Sequence, residues 1–130
     1  MPIRVGPLDI PRTLEVTSVG DITNQETGWA IERTRELVAE FEATHILVDS
    51  SRLDNSLSRN KVENIAEDFM LAMEQPITLA YVPSQISRTW DLSTTWPVFE
   101  AGNLRIKVVK DRAAALNWLR EQTGVTEDES

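Results

Sequence analysis

His45-Ile46-Leu47-Val48-Asp49 decides the fold. A strand with one face in water alternates apolar and polar residues. This run does not, so it reads as a central parallel strand covered on both faces. Ile77 to Val82 is a second run of the same kind, bounded by Pro76 and Pro83.

Outward from the first run, the period changes to 3.6. Thr23-x-x-Glu26 has the form of a capping box, which satisfies two orphan backbone donors at a helix start. The helix is expected to run to about Glu42, with Ile31, Thr34, Leu37, Val38 and Phe41 on one stripe and Trp29 far off it. Ser50 to Ser58 is polar and reads as a loop. A second helix is expected to about Glu74, with Val62, Ile65, Ala66, Phe69 and Met73 facing inward. Leu71 falls nearly opposite that stripe and Met70 on its flank.

The N-terminal residues read as two short strands. Ile3 and Val5 start an edge strand limited by Pro7 and Pro11, because proline cannot donate to a ladder. Thr13 to Val19 forms the second, ending at Gly20-Asp21. Ser84 to Gly102 is irregular and aromatic. It reads as a broken helix jointed at Thr94 to Pro97, with Gly102 at its C-terminal end. Leu104 to Val109 alternates, as an edge strand does. Asp111 is placed to cap a last helix with Leu116 and Leu119 facing inward, and Gly124 to end it.

This order predicts an α/β fold. The expected sheet is five-stranded and mixed, an N-terminal hairpin plus three parallel strands, with about four helices mainly on one side. A single domain is expected over residues 1–122, followed by an acidic, flexible tail over 123–130.

The chain has 130 residues, within the common size range of one domain. It has no cysteine, which removes disulfides, thiol nucleophiles and zinc ribbons. Its one histidine removes a multi-histidine metal site. Thirteen basic against 21 acidic residues give a net charge of −8, which argues against a nucleic-acid or anionic-membrane binder. No apolar run approaches the roughly 18 residues of a membrane span, and MPIRVGPLDIP lacks the apolar stretch of a signal peptide. The chain is therefore expected to be cytoplasmic.

With the order laid out, the chain resembles the SpoIIAA-like family, relatives of the STAS (sulfate transporter and anti-sigma factor antagonist) fold. Val19-Gly-Asp-Ile-Thr23 looks like that family's strand end and helix cap, and Ile46-Leu-Val-Asp49 like its central strand ending in an acid. The best match is Phe99-Glu-Ala-Gly102, then Arg105-Ile-Lys-Val108, then Ala115-Leu-Asn-Trp-Leu119. The likeness spans residues 10–121 and implies a STAS-like α/β fold. It also implies a regulatory binding module, since related domains bind nucleotides or are switched by serine phosphorylation. In anti-sigma antagonists the phosphorylated serine opens the second helix in an Asp-Ser-Ser-Gly setting. Here Asp49-Ser50-Ser51 is followed by Arg52, and Ser56 and Ser58 stand nearer the helix start, which makes these two the phosphorylation candidates. The plain alternative for both is N-capping.

The residues themselves offer few further sites. Asp49, with Ser50, Ser51 and Asp54, stands where α/β sheets place ligands, and a self-satisfied Asx or Ser turn is the alternative. Arg88, Trp90 and Trp96 are candidates for an apolar pocket or partner surface, or else complete the core. Trp29, Met70 and Leu71 would mark a dimer or partner face if they joined Trp118 in one patch. His45 is expected at the opposite end of its strand from Asp49, out of reach as a base. No phosphate loop, zinc spacing or nucleophile elbow is present.

The expected function is a non-catalytic, bacterial-type regulatory or ligand-binding module. Its partner would be an apolar, lipid-like small molecule or a protein, and a homodimer is plausible. No cofactor, metal or nucleic acid is expected. The alternatives are a phospho-switched antagonist-like protein, or a small enzyme using Asp49 and the nearby serines.

Overall fold

A computed structural model describes residues 3–53, 59–73, 75–83, 99–101 and 104–124. The elements follow in the order β1 (Ile3–Pro7), β2 (Thr13–Gly20), α1 (Asn24–Phe41), β3 (His45–Leu53), α2 (Arg59–Ala72), β4 (Ile77–Val82), β5 (Phe99–Ala101), β6 (Leu104–Val108) and α3 (Arg112–Thr123). The strands form one mixed sheet in the order β1-β2-β3-β4-β6-β5. β1 and β2 are the expected antiparallel hairpin. β2, β3, β4 and β6 run parallel to one another, and β5 pairs antiparallel with β6.

The continuous apolar runs are buried on both faces, for a reason visible in the alternation. Ile46, Leu79 and Tyr81 enter one core with Leu14, Val16, Ile31, Leu37, Val38, Phe69 and Met73. Leu47, Ala80 and Val82 enter a second core with Val109, Ala115, Trp118 and Leu119. The first core lies under α1 and α2, which pack on each other, and the second under α3, which packs on β3 and β4. Helices therefore cover both faces of the sheet. The expectation of helices mainly on one side holds only for α1 and α2.

Local chemistry sets the helix ends. The Thr23 hydroxyl accepts from the Glu26 N–H at 3.1 Å while the Glu26 carboxylate accepts from the Thr23 N–H at 3.0 Å. Asp111 accepts from the Ala114 N–H at 2.8 Å. Gly124 closes α3 at φ 76°, a left-handed conformation that glycine adopts without a Cβ clash. α3 runs through Thr123, one residue past the expected domain end. Val125 to Ser130, most of the expected acidic tail, lies outside the described residues.

Four expectations need correction. β3 does not stop at Asp49 but continues to Leu53, pairing with β2 through a shift in register between Thr17 and Val19. Phe99 to Ala101 form β5, not the second half of a broken helix. β6 is consequently not the edge, because β5 lies outside it. Phe41, expected on the buried stripe, is exposed in the last turn of α1, next to the left-handed cap at Glu42.

Candidate functional site

The polar centre of the described structure lies where β3 stops pairing with β4. The last partner pair of these strands is Asp49 with Val82, and Thr17 of β2 stands opposite Asp49 on the other side. Asp49 follows Leu47 by two residues, so its carboxylate points to the α3 face of the sheet. There it meets Arg112, the first residue of α3. Arg112 Nη1 donates to Asp49 Oδ2 at 3.2 Å, and Nη2 donates to Glu15 Oε2 at 2.6 Å. The other oxygen of Asp49 accepts from the Ser51 N–H at 3.0 Å and from the Ser51 hydroxyl at 2.6 Å.

The electrostatics explain an arginine in this position. A helix N-terminus carries partial positive charge, so a cation in the first turn is unfavourable on its own. Glu15 and Asp49 offset that cost, and charge-assisted bonds to a planar guanidinium are among the stronger polar contacts. The Asp49 side chain is only 8% exposed, whereas that of Arg112 is 40% exposed. The two carboxylates raise the already high pKa of Arg112, chiefly through its hydrogen bond to Glu15, with burial opposing. A buried carboxylate is thus matched on both oxygens, and the cluster carries one negative charge overall.

Ser50 is buried but does not join this cluster. It lies on the opposite face, toward Tyr81 in the α1 and α2 core. Burial pushes the Tyr81 phenol up to about 12, partly opposed by its hydrogen bond with Ser50, so the ring keeps its proton. His45 starts β3 four residues before Asp49, which stands mid-strand and not at the opposite end as expected. Its Nδ1 lies 2.7 Å from the Thr44 hydroxyl. Burial, and then the charge of Arg12, hold its pKa below the ordinary histidine value.

Trp118 does not join Trp29 and Leu71 in one patch. Trp118 is a core residue under α3, with Lys107 Nζ 5.4 Å from its ring centroid. Trp29 on α1 is 40% exposed and Leu71 on α2 is 78% exposed, both on the other side of the sheet. A bulky aromatic four residues from Ala114 and three from Ala115 packs inward, which is why the Ala-x-x-Trp-Leu pattern belongs to the core. Arg88, Trp90, Trp96, Ser56, Ser58, Asp54 and the side chain of Met70 lie outside the described residues.

Glu15 and Arg112 were not singled out by the sequence reading. Their contact spans 97 residues of chain. The one signal within reach was an arginine directly after an N-cap, against the helix dipole.

Among the described residues, no group of three or more His, Cys, Asp or Glu is placed to hold a metal ion. No described helix is long and apolar enough to cross a membrane. No protein-family model and no curated protein matches the chain.

Proposed function

We propose that this chain is a non-catalytic regulatory or ligand-binding module of STAS-like fold, working in the cytoplasm. One observation carries the reading. Asp49, the acid at the place where α/β sheets usually hold ligands, has both oxygens engaged by Ser51 and Arg112. A carboxylate so occupied is a structural anchor, not a free base or a ligand to substrate. The nearby Ser51 hydroxyl donates to that carboxylate, which Arg112 also holds, and among the described residues no histidine or second base faces it as a nucleophile's partner would. His45 stands at the start of β3, six residues before Ser51. The hairpin followed by parallel strands and intervening helices agrees with the SpoIIAA-like resemblance.

Native mass spectrometry on gently purified protein tests the reading. A retained small molecule or polypeptide is the expected result. Turnover of a simple ester or phosphoester that disappears in Asp49→Asn, with the fold intact by circular dichroism, would overturn it in favour of a small enzyme.

A further inference from the structure

Charge is spread unevenly over this acidic protein. Leu104 to Arg120 holds Arg105, Lys107, Lys110, Arg112 and Arg120 against the single acid Asp111, within a chain of net charge −8. Arg112 is taken by Glu15 and Asp49. Arg120 lies in the last turn of α3. The other three cations run along β6 and the connection that follows it.

The strand fixes the directions of Arg105 and Lys107. Leu104, Ile106 and Val108 enter the core under α1 and α2. Arg105 and Lys107 alternate with them and so project on the α3 face. α3 packs on β3 and β4, so this part of β6 lies beside the helix. Arg105 and Lys110 are exposed, and Lys107 is held over the Trp118 ring at the seam between helix and strand.

We infer that this strip docks an acidic, extended segment of a partner protein. The inference rests on the binding-module reading above and names the partner's chemistry. Two residues along a strand span roughly 6.5–7 Å. Alternate side chains of an extended peptide repeat at that same distance, so carboxylates at i and i+2 meet Arg105 and Lys107. The Trp118 ring restricts the Lys107 ammonium before any partner arrives, which reduces the entropy lost on binding.

The narrowness of the strip selects a peptide over broader polyanions. A duplex binder typically neutralises about 6–10 phosphates. A membrane surface rewards each basic residue by only about 1 kcal/mol. Both present an extended negative surface to a molecule with a charge of −8. A short peptide touches the strip alone.

Fluorescence anisotropy tests the inference, using the full-length chain and a labelled peptide of alternating glutamate and valine. Binding that weakens as salt rises is expected, because exposed charge pairs are screened. Replacing Arg105→Glu and Lys107→Glu together is expected to weaken binding about tenfold or more, with Lys107→Gln intermediate. Arg33→Gln, on the opposite side of the sheet, is expected to leave it within about twofold. Near-ultraviolet circular dichroism checks that each variant folds. Three results would overturn the inference: binding unchanged by the charge reversals, capture by anionic phosphatidylserine vesicles but not by the peptide, or affinity raised tenfold by Glu127→Gln, Asp128→Asn and Glu129→Gln together. The last would assign the strip to the chain's own acidic end. A small molecule retained in native mass spectrometry, with no peptide binding, removes this partner and leaves the module reading standing.

Discussion

The two faces of the sheet are held by different physics. Under α1 and α2 the core is broad and apolar, from Ile3 and Leu14 through Ile46 and Leu79 to Leu104. Under α3 the core is smaller, and polar links surround it: Arg112 to Glu15 and Asp49 at one end, Lys107 over Trp118 at the side. Apolar burial is non-directional and scales with area. Ion pairs and caps are directional and fix where a helix sits more than they add to stability. The first face therefore provides most of the fold's free energy. The second sets the position of α3 with few, specific contacts.

The sharpest way to break this contrast is to remove volume from the first face. Leu14→Ala leaves a cavity at a fully buried position. It is expected to cost about 3 kcal/mol in urea denaturation, with little dependence on salt. An equal loss that grows with salt would contradict the division between the faces.

Arg112→Ala attacks the second face. It leaves the buried Asp49 carboxylate without its cation, and the cost is expected to be about 2 kcal/mol, reduced from that of a fully buried pair because Arg112 is partly exposed. Hydrogen exchange should show loss of protection concentrated in α3, with α1 unchanged. Uniform loss across both helices would mean that the two faces do not open separately. Arg112→Lys is expected to recover only part of the stability, since an ammonium lacks the planar fork that bridges two carboxylates.

Asp111→Ala removes the α3 cap and is expected to cost about 1 kcal/mol, again with exchange localised to α3. The smallest expected effect concerns His45. Its folded-state pKa is below the ordinary value, so the unfolded chain binds the proton more readily. The resulting penalty is absent well above pH 6.5 and grows as pH falls below it toward the lower folded value. Urea midpoints of the natural chain and His45→Gln should therefore converge above neutrality and separate on acidification, with the variant favoured. A gap that widens with rising pH would reverse the sign and refute the assignment.

Much of the layout was legible because it rests on local rules. The capping box at Thr23, the cap at Asp111 and the left-handed Gly124 are each set within four residues of sequence. Ile46 to Val48 and Ile77 to Val82 betrayed their double burial by failing to alternate. What escaped was non-local or too short to have a period. Ser50 to Leu53 looks like a loop by composition, yet β2 supplies a partner across an irregular register. Three residues of β5 offer no pattern to read. Asp49 was visible as a candidate, but its engagement by Arg112 depends on a contact across 63 residues. That Trp118 lies apart from Trp29 and Leu71 was not legible, because periodicity places a residue on a helix face without saying which side of the sheet that helix covers.

The order of elements has a consequence for synthesis. Leu47, Ala80 and Val82 come off the ribosome before α3, the helix that buries them. Until that helix is complete, the parallel centre of the sheet presents an uncovered aliphatic surface on one side. A β3 and β4 pair formed before that helix would leave this surface open to neighbouring chains. Arg112 is the first part of the late helix to emerge, and its two carboxylate partners precede it in the chain.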